Sequence, residues 1–150
     1  MRRIFSVIFV AGICAAAQAD SLTNRLEKMR PEVIRQFSVP VENWRFEQAD
    51  AANTEQPGFD DSSWQVVSSR YSWFGTNTAW FRARITIPST VAGLPTTGLA
   101  VRLDVAITNQ CRIFVDGRQR NDFRGNSQYT LTTHAQPGQT FLVEIGRAHV

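Results

Sequence analysis

The sequence is poor in the residues from which most protein metal sites are built. Its 150 residues include two cysteines, two histidines and a single lysine, Lys28. Neither His134 nor His149 has a cysteine or carboxylate beside it at metal-ligand spacing. The sequence therefore predicts no metal site built on histidine or cysteine.

The amino-terminal segment has the pattern of a secretory signal. Arg2 and Arg3 precede a short apolar stretch at residues 4–17, and residues 17–19 read Ala-Gln-Ala, the small-x-small pattern of a cleavage site. The stretch is too short for a membrane span. We therefore expect residues 1–19 to be a cleaved signal peptide and the protein to be exported, either to the periplasm or to the outside of the cell.

Cleavage after Ala19 would change both the charge and the cysteine content. It leaves 14 basic and 13 acidic residues, a net charge of +1 rather than +3. A nearly neutral chain has no electrostatic footprint for nucleic acid. Cys111 then remains alone, which excludes an internal disulfide. It shares the strand parity of Ile113 and Val115, so we expect it to be a small buried side chain.

Residues 20–38 have helical spacing. Their apolar side chains fall near one helical face: Leu22, Leu26, Met29, Val33, Ile34 and Phe37. Pro31 interrupts the pattern, so one helix and two short kinked segments are both compatible with it. We expect a helical leader that packs on the domain or on a neighbour.

From Val41 onwards the hydrophobic period changes to two, which is typical of strands. Strand candidates are residues 42–47, 63–68, 78–87, 99–107, 111–115, 128–132 and 140–145. Turn residues separate them at 57–58, 93–98, 116–117, 125–126 and 137–138. In the third candidate, apolar residues from Phe81 to Ile87 alternate with Trp80, Arg82, Arg84 and Thr86 on the other face. The pattern predicts an all-β fold, an antiparallel β-sandwich or jelly roll.

The last strand candidate lies close to Val150. Phe141, Val143 and Ile145 have the pattern of an inner strand, and such a strand needs a neighbour on each side. We therefore expect the domain to be truncated at its C-terminus, with another strand downstream. The predicted organisation is a signal peptide at 1–19, a helical leader at 20–38 and a β-sandwich at 39–150.

Five blocks of the sequence occur in an order that resembles an accessory domain of glycoside hydrolases. They are W-x-F from Trp44, F-D-D-S-S-W-x-x-V from Phe59, A-W-F-R-x-x-I-x-I-P from Ala79, I-F-V-D-G from Ile113 and P-G-x-x-F-L-V-x-I from Pro137. The order is similar to the galactose-binding-like jelly-roll domain at the N-terminus of family 2 enzymes such as β-galactosidases and β-mannosidases. A similar sugar-binding domain occurs in bacterial family 38 α-mannosidases, and residues 87–98 and 131–143 are closer to that version.

The resemblance implies a non-catalytic N-terminal domain, a fragment of an exported glycoside hydrolase that acts in carbohydrate degradation and is α-mannosidase-like. In such enzymes the catalytic carboxylates, and the zinc of the α-mannosidases, belong to another domain. The implied partner is the downstream catalytic domain, and glycans are a second one. We expect neither nucleic acid nor a membrane as a partner. A free-standing carbohydrate-binding module is the alternative.

Asp60 and Asp61 are the carboxylates closest to a catalytic pair. A glycosidase needs two carboxylates roughly 5 Å or 6.5–9.5 Å apart across the scissile bond. These two are adjacent in a turn, where an Asp side chain accepts backbone N–H bonds. We therefore assign no catalytic residue. Calcium, held by Asp60, Asp61 and Asp116, is a weak alternative to our expectation of no cofactor.

Three aromatic residues occur in a loop rich in Gly, Ser and Asn at residues 68–77. Tyr71, Trp73 and Phe74 are the candidate carbohydrate-binding residues, because sugar rings stack their apolar faces on exposed aromatic rings. Packing of the loop against the catalytic domain is the second interpretation, and local core packing is the third.

Overall fold

Contacts divide the chain into two units in the computed structural model, which describes residues 11–48, 53–71 and 78–147. The first unit, Met1–Ser38, contains a helix, and the second, Val39–Val150, contains the strands. The boundary lies just before Val41, where the hydrophobic period changes from helical spacing to alternation.

Helix α1 spans Ala11–Gln36 and continues through Pro31, so the leader is one helix rather than two. Near its end Arg35 forms an ion pair with Glu32 at 2.8 Å. The apolar side chains that share one face of the leader, from Leu22 to Phe37, are exposed. In the described part of the chain, no helix is both long enough and apolar enough to cross a lipid bilayer.

The described residues of the second unit form eight strands. They are β1 (Trp44–Glu47), β2 (Gln65–Val67), β3 (Ala79–Thr86), β4 (Thr90–Val91), β5 (Leu94–Pro95), β6 (Val101–Val115), β7 (Arg118–Thr132) and β8 (Thr140–Arg147). Six of them form one antiparallel sheet in the order β2-β1-β3-β8-β6-β7, and β4 and β5 form a separate two-stranded ribbon. The predicted all-β fold is confirmed.

The last strand, β8, lies in the middle of the sheet. It pairs with β3 along its whole length, and with β6 from Val143 to Arg147. The inner-strand pattern of Phe141, Val143 and Ile145 is therefore explained by neighbours from this chain. The need for a second neighbour was the argument for a truncated domain, and β6 and β3 meet that need. A continuation beyond Val150 stays a prediction.

Strands β6 and β7 form a long hairpin whose turn is Asp116-Gly117. Both turn residues have a positive φ, 52° for Asp116 and 74° for Gly117, as a tight hairpin requires. The second turn predicted in this region, at Gly125-Asn126, is wrong. Gly125, with φ 82°, lies within β7 opposite Ile107, and β7 is a continuous strand there. The register shifts between Ile107 and Gln110, so the extra residues of this bulge belong to β6.

The same bulge lets β6 contribute to two layers of the fold. Its second half, from Cys111 to Val115, pairs with β8, whereas its first half, from Val101 to Ile107, has β7 as its only partner among the described strands. Buried residues of both halves, Leu103 and Ile113 among them, belong to one hydrophobic cluster. The hairpin thus bends over a shared core, as strands do at the corners of β-sandwiches. Cys111 is buried there, as predicted.

The outer face of the sheet, opposite this core, is also covered. Residues 53–64, called here the covering loop, lie against β3 and the β6–β7 turn. Pro57 rests on Gly117 so closely that a Cβ atom there would lie 2.6 Å from the proline Cδ. Phe59 packs against Trp64, with ring centroids 5.5 Å apart. Side chains of β3 alternate between the two faces of the sheet. One face packs on the apolar core, and the other lies under the covering loop, where it carries the charged Arg82.

Candidate functional site

Tyr71 is the one predicted carbohydrate-binding residue that lies within the described part of the chain. Its backbone N–H closes a turn on Ser68 O at 3.1 Å, and Glu42 accepts two hydrogen bonds from Ser69 in that turn. The Tyr71 ring packs on Phe46 with centroids 5.1 Å apart and remains 38% exposed. One side of the ring is thus fixed against the core residue while part of its surface faces solvent.

Trp73 and Phe74, the other two predicted residues, lie outside the described residues. Of the three aromatic residues, the structure therefore describes only Tyr71. The sugar-binding role of all three stays a prediction. The packing of Tyr71 on Phe46 agrees with local core packing for part of this ring, which was one of the three interpretations of the loop.

The two adjacent carboxylates of the covering loop have separate structural roles. Asp60 accepts a hydrogen bond from the Ser62 amide at 3.0 Å, and this bond lowers the pKa of Asp60. Asp61 instead forms an ion pair with Arg82, at 3.3 Å from Nε to Oδ2. The capping role predicted for this turn is confirmed at Asp60.

Arg82 is a fully buried guanidinium that ties the covering loop to the sheet. It donates hydrogen bonds to Thr54 O at 2.9 Å and to Gln56 O at 3.2 Å. The Phe59 ring lies above it, with 5.3 Å between Cζ and the ring centroid. One strand residue thus holds the loop by two carbonyls, a carboxylate and an aromatic ring.

Glu144 lies beside Arg82 on the neighbouring strand and is also fully buried. Its Oε1 is 3.8 Å from an Arg82 guanidinium nitrogen, and neither carboxylate oxygen has a hydrogen-bond partner among the described residues. Burial raises the pKa of Glu144 to about 7, against the lowering effect of Arg82, and the charges of Asp116 and Glu55 raise it further.

A charged cleft of about 230 Å³ opens beside this cluster. The residues that line it include three arginines, Arg45, Arg82 and Arg84, and two acidic residues, Glu42 and Asp61. Arg45 donates to Trp64 O at 3.3 Å, and Arg84 is exposed. Such a lining can donate hydrogen bonds to hydroxyl or carboxylate groups.

Sequence reasoning did not identify this cluster. Arg82 and Glu144 each stand at a polar position of an alternating strand, which normally faces water. The available signal was the run F-D-D-S-S-W, in which one of the two adjacent carboxylates caps the turn and leaves the other free to pair with an arginine. The identity of that arginine depends on strand pairing, which the sequence does not give.

The proposed calcium donors are engaged elsewhere. Asp60 and Asp61 have the contacts given above, and Asp116 Oδ1 accepts the Leu142 amide at 2.9 Å. Within residues 11–48, 53–71 and 78–147, no three His, Cys, Asp or Glu side chains are grouped closely enough to hold a metal ion. His134 lies next to Thr133, and His149 lies outside the described residues.

The fold is similar to parts of solved family 2 glycoside hydrolases. A family 2 member from Bacteroides cellulosilyticus matches with a TM-score of 0.59 and 18% identity, over 73% of this chain and 17% of that one. The β-glucuronidase of Bacteroides uniformis matches with a TM-score of 0.58 and 18% identity, over 70% and 14%. A β-glycosidase from Bacteroides vulgatus gives a TM-score of 0.54 and 16% identity, over 71% and 16%.

No family model and no curated protein matches the sequence. At these identities the structural likeness shows the fold alone, an all-β sandwich, which is the fold class expected from the sequence. This chain spans less than a fifth of the length of each of the three solved glycosidases.

Proposed function

We propose that this chain is the non-catalytic β-sandwich part of an exported glycoside hydrolase that acts in carbohydrate degradation. The observation that carries the proposal is that 70–73% of this chain matches only 14–17% of each of two solved glycosidases, a family 2 member and a β-glucuronidase. In this role the domain braces a catalytic domain encoded downstream and shapes the entrance to its active site.

The use of the carboxylates supports a non-catalytic role. A glycosidase needs an acid and a nucleophile or base free to face the sugar. Asp60 caps its own turn and Asp61 neutralises a buried arginine, while Glu144 is sealed from solvent. Asp61 lines the cleft but is held by Arg82, and neither Asp60 nor Glu144 is part of the cleft lining.

The first test is an assay of the chain with 4-nitrophenyl β-glucuronide, β-galactoside, β-mannoside and α-mannoside. We expect no hydrolysis above the background of a mock purification. The Asp60→Asn/Asp61→Asn double variant is the control for trace contaminants. Hydrolysis by a contaminating enzyme would persist in a preparation of this variant. Hydrolysis by the wild-type chain that this variant loses would refute the non-catalytic role.

The α-mannosidase-like parent is the finer part of the proposal and rests on residues 87–98 and 131–143. The three solved relatives described above are β-glycosidases or family 2 members, so a family 2 parent is its direct competitor. The coding sequence after the Val150 codon distinguishes them. A zinc-binding α-mannosidase domain supports the first parent, a barrel with two catalytic glutamates supports the second, and an immediate stop codon refutes both.

Glycan binding is the second candidate function, and the partly exposed Tyr71 ring favours it. Oligosaccharides are titrated into the chain while tryptophan fluorescence is recorded. Saturable quenching that Tyr71→Ala and Trp73→Ala abolish supports a carbohydrate-binding module. Val66→Ala, at another exposed apolar residue, is the matched control. No response across a broad glycan panel supports the bracing role alone.

Export is tested by the mature N-terminus. When the full chain is produced in a bacterial host with a periplasm, we expect the recovered protein to begin at Asp20. Ala19→Tyr places a large side chain at the cleavage site and should block processing. A wild-type protein that keeps Met1 and stays in the cytoplasm would refute the exported location.

A further inference from the structure

The buried charges beneath the covering loop are not balanced. Arg82 supplies one positive charge, while Asp61 and Glu144 lie 3.3 Å and 3.8 Å from its nitrogens. Asp61 has the shorter contact and is 14% exposed, whereas Glu144 is fully buried. One guanidinium does not compensate two carboxylates in a low-dielectric site, so one of the two is favoured as the neutral acid.

Glu144 is the carboxyl that the surroundings keep neutral. Its oxygens have no hydrogen-bond donor among the described residues, whereas Asp61 has the direct ion pair. The charged groups that act on Glu144 come from each packed element: Arg82 from β3, Asp116 from the β6–β7 turn, and Glu55 from the covering loop. Two of these three are acidic, and they oppose a further negative charge on Glu144.

Ionisation of Glu144 has a direct structural consequence, because a buried carboxylate must be hydrated or paired. Pairing turns the Arg82 guanidinium away from Thr54 O, Gln56 O and Asp61, which are its contacts to the covering loop. Hydration requires water to enter beneath the same loop. Both responses weaken the attachment of residues 53–64 to the sheet.

We propose that the covering loop is a proton-dependent clasp, closed over the sheet while Glu144 is protonated and loosened when Glu144 ionises. The moving element is residues 53–64, and its anchor is Arg82. Loosening would expose Phe59 and Trp64, which lie in this segment, and would widen the arginine-lined cleft. The clasp is independent of the proposed glycosidase role, since its test involves no sugar.

Hydrogen–deuterium exchange of the whole chain between pH 4 and 8.5 tests this mechanism. Amides of Gln56, Phe59 and Trp64 bond within the loop and report its closure. After correction for intrinsic exchange, we expect their protection to fall progressively as the pH rises from 4.5 to 7, by up to about 300-fold, and to level off above pH 7. Amides of the β6–β7 hairpin should not change.

Two variants make the test specific. Glu144→Gln keeps the shape of the neutral acid and should keep the loop protected at every pH. Glu47→Gln changes a carboxylate on β1 that accepts a bond from the Gln48 amide, and it should behave as wild type. The carboxyl carbon of Glu144, followed by NMR, should titrate near neutrality, and Asp61→Asn should lower its midpoint.

Three outcomes would overturn the clasp. The first is loop protection that does not depend on pH in the wild-type chain. The second is a pH-dependent loss that persists in Glu144→Gln. The third is a Glu144 carboxyl that is already ionised at pH 5.5.

Discussion

At the scale of single residues, the outer face of the sheet depends on Arg82. A fully buried arginine is uncommon, and this one is retained because every direction around it offers an acceptor or a ring. The exposed Arg84 has the same parity on the same strand but no such surroundings. The two arginines therefore form a natural pair for experiment.

We expect Arg82→Lys to destabilise the protein by about 2–4 kcal/mol, because one ammonium group does not replace a planar fork that reaches two carbonyls and a carboxylate. Arg84→Lys should change the free energy of unfolding by less than about 0.5 kcal/mol. Urea unfolding at a fixed pH measures both. Equal effects of the two substitutions would show that the buried network contributes nothing beyond charge.

Gly117 is the residue at which turn geometry and loop packing meet. It needs a positive φ of 74°, and a Cβ atom there would lie 2.6 Å from Pro57 Cδ. Gly117→Ala should therefore cost about 1–2 kcal/mol for the backbone and a similar amount for the collision. Gly138→Ala is the matched control, since Gly138 has φ 81° and open space around its Cα. A cost no larger than that of Gly138→Ala would mean that Pro57 simply moves away.

At the scale of elements, the sequence predicted most strands, but it placed the start of β7 at Gln128 instead of Arg118 and divided β6 into two strands. The alternation of β3 and β8 is strong because one face packs on the core, and both were located within two residues. β7 contains R-Q-R-N-D-F-R-G-N, a polar stretch with Gly125 that is typical of a loop. It is a strand because its backbone pairs with β6 at the sheet edge, where polar side chains face water.

The position of each strand in the sheet predicts its protection from exchange. From Val143 to Gly146, β8 has a paired strand on each side and its residues are buried, so the amides of this segment should open only in global unfolding. The outer edge of β7 and the three-residue β2 should exchange by local fraying. Native-state hydrogen exchange at low denaturant measures this order, and β8 amides that exchange as fast as those of β2 would contradict the sheet order.

At the scale of the whole molecule, the buried Glu144 links stability to pH. Its folded pKa of about 7 lies above the ordinary 4.5, so the folded state holds a proton that the unfolded state releases. This contribution is complete below pH 4.5, decreases as pH rises, and is lost above pH 7. The contribution of Asp60 to stability has the opposite pH dependence. Because its pKa is lowered in the folded state, this contribution is lost as the pH falls through that pKa.

We expect the free energy of unfolding of the wild-type chain to fall by about 3 kcal/mol relative to Glu144→Gln between pH 4.5 and 7.5. Taking the difference between the two proteins cancels the other carboxylates, whose ionisation is common to both. Urea titrations at each pH provide the values. A difference that stays constant over this range would show that Glu144 is ionised in the folded state throughout.

The sequence by itself determined the class of the fold, the alternation of apolar and polar side chains along β3 and the first half of β6, the Asp116-Gly117 turn and the burial of Cys111. These features follow from local rules: alternation places side chains, and few residues accept a positive φ. Only the tertiary structure decided that Arg82 and Glu144 meet under the covering loop. They lie on strands far apart in sequence, and a charged residue on a polar face normally indicates solvent. β3 pairs with β8, and the covering loop lies over both strands, so Arg82 and Glu144 are buried. The charge on a buried side chain affects the stability of the fold far more than a charge in solvent does.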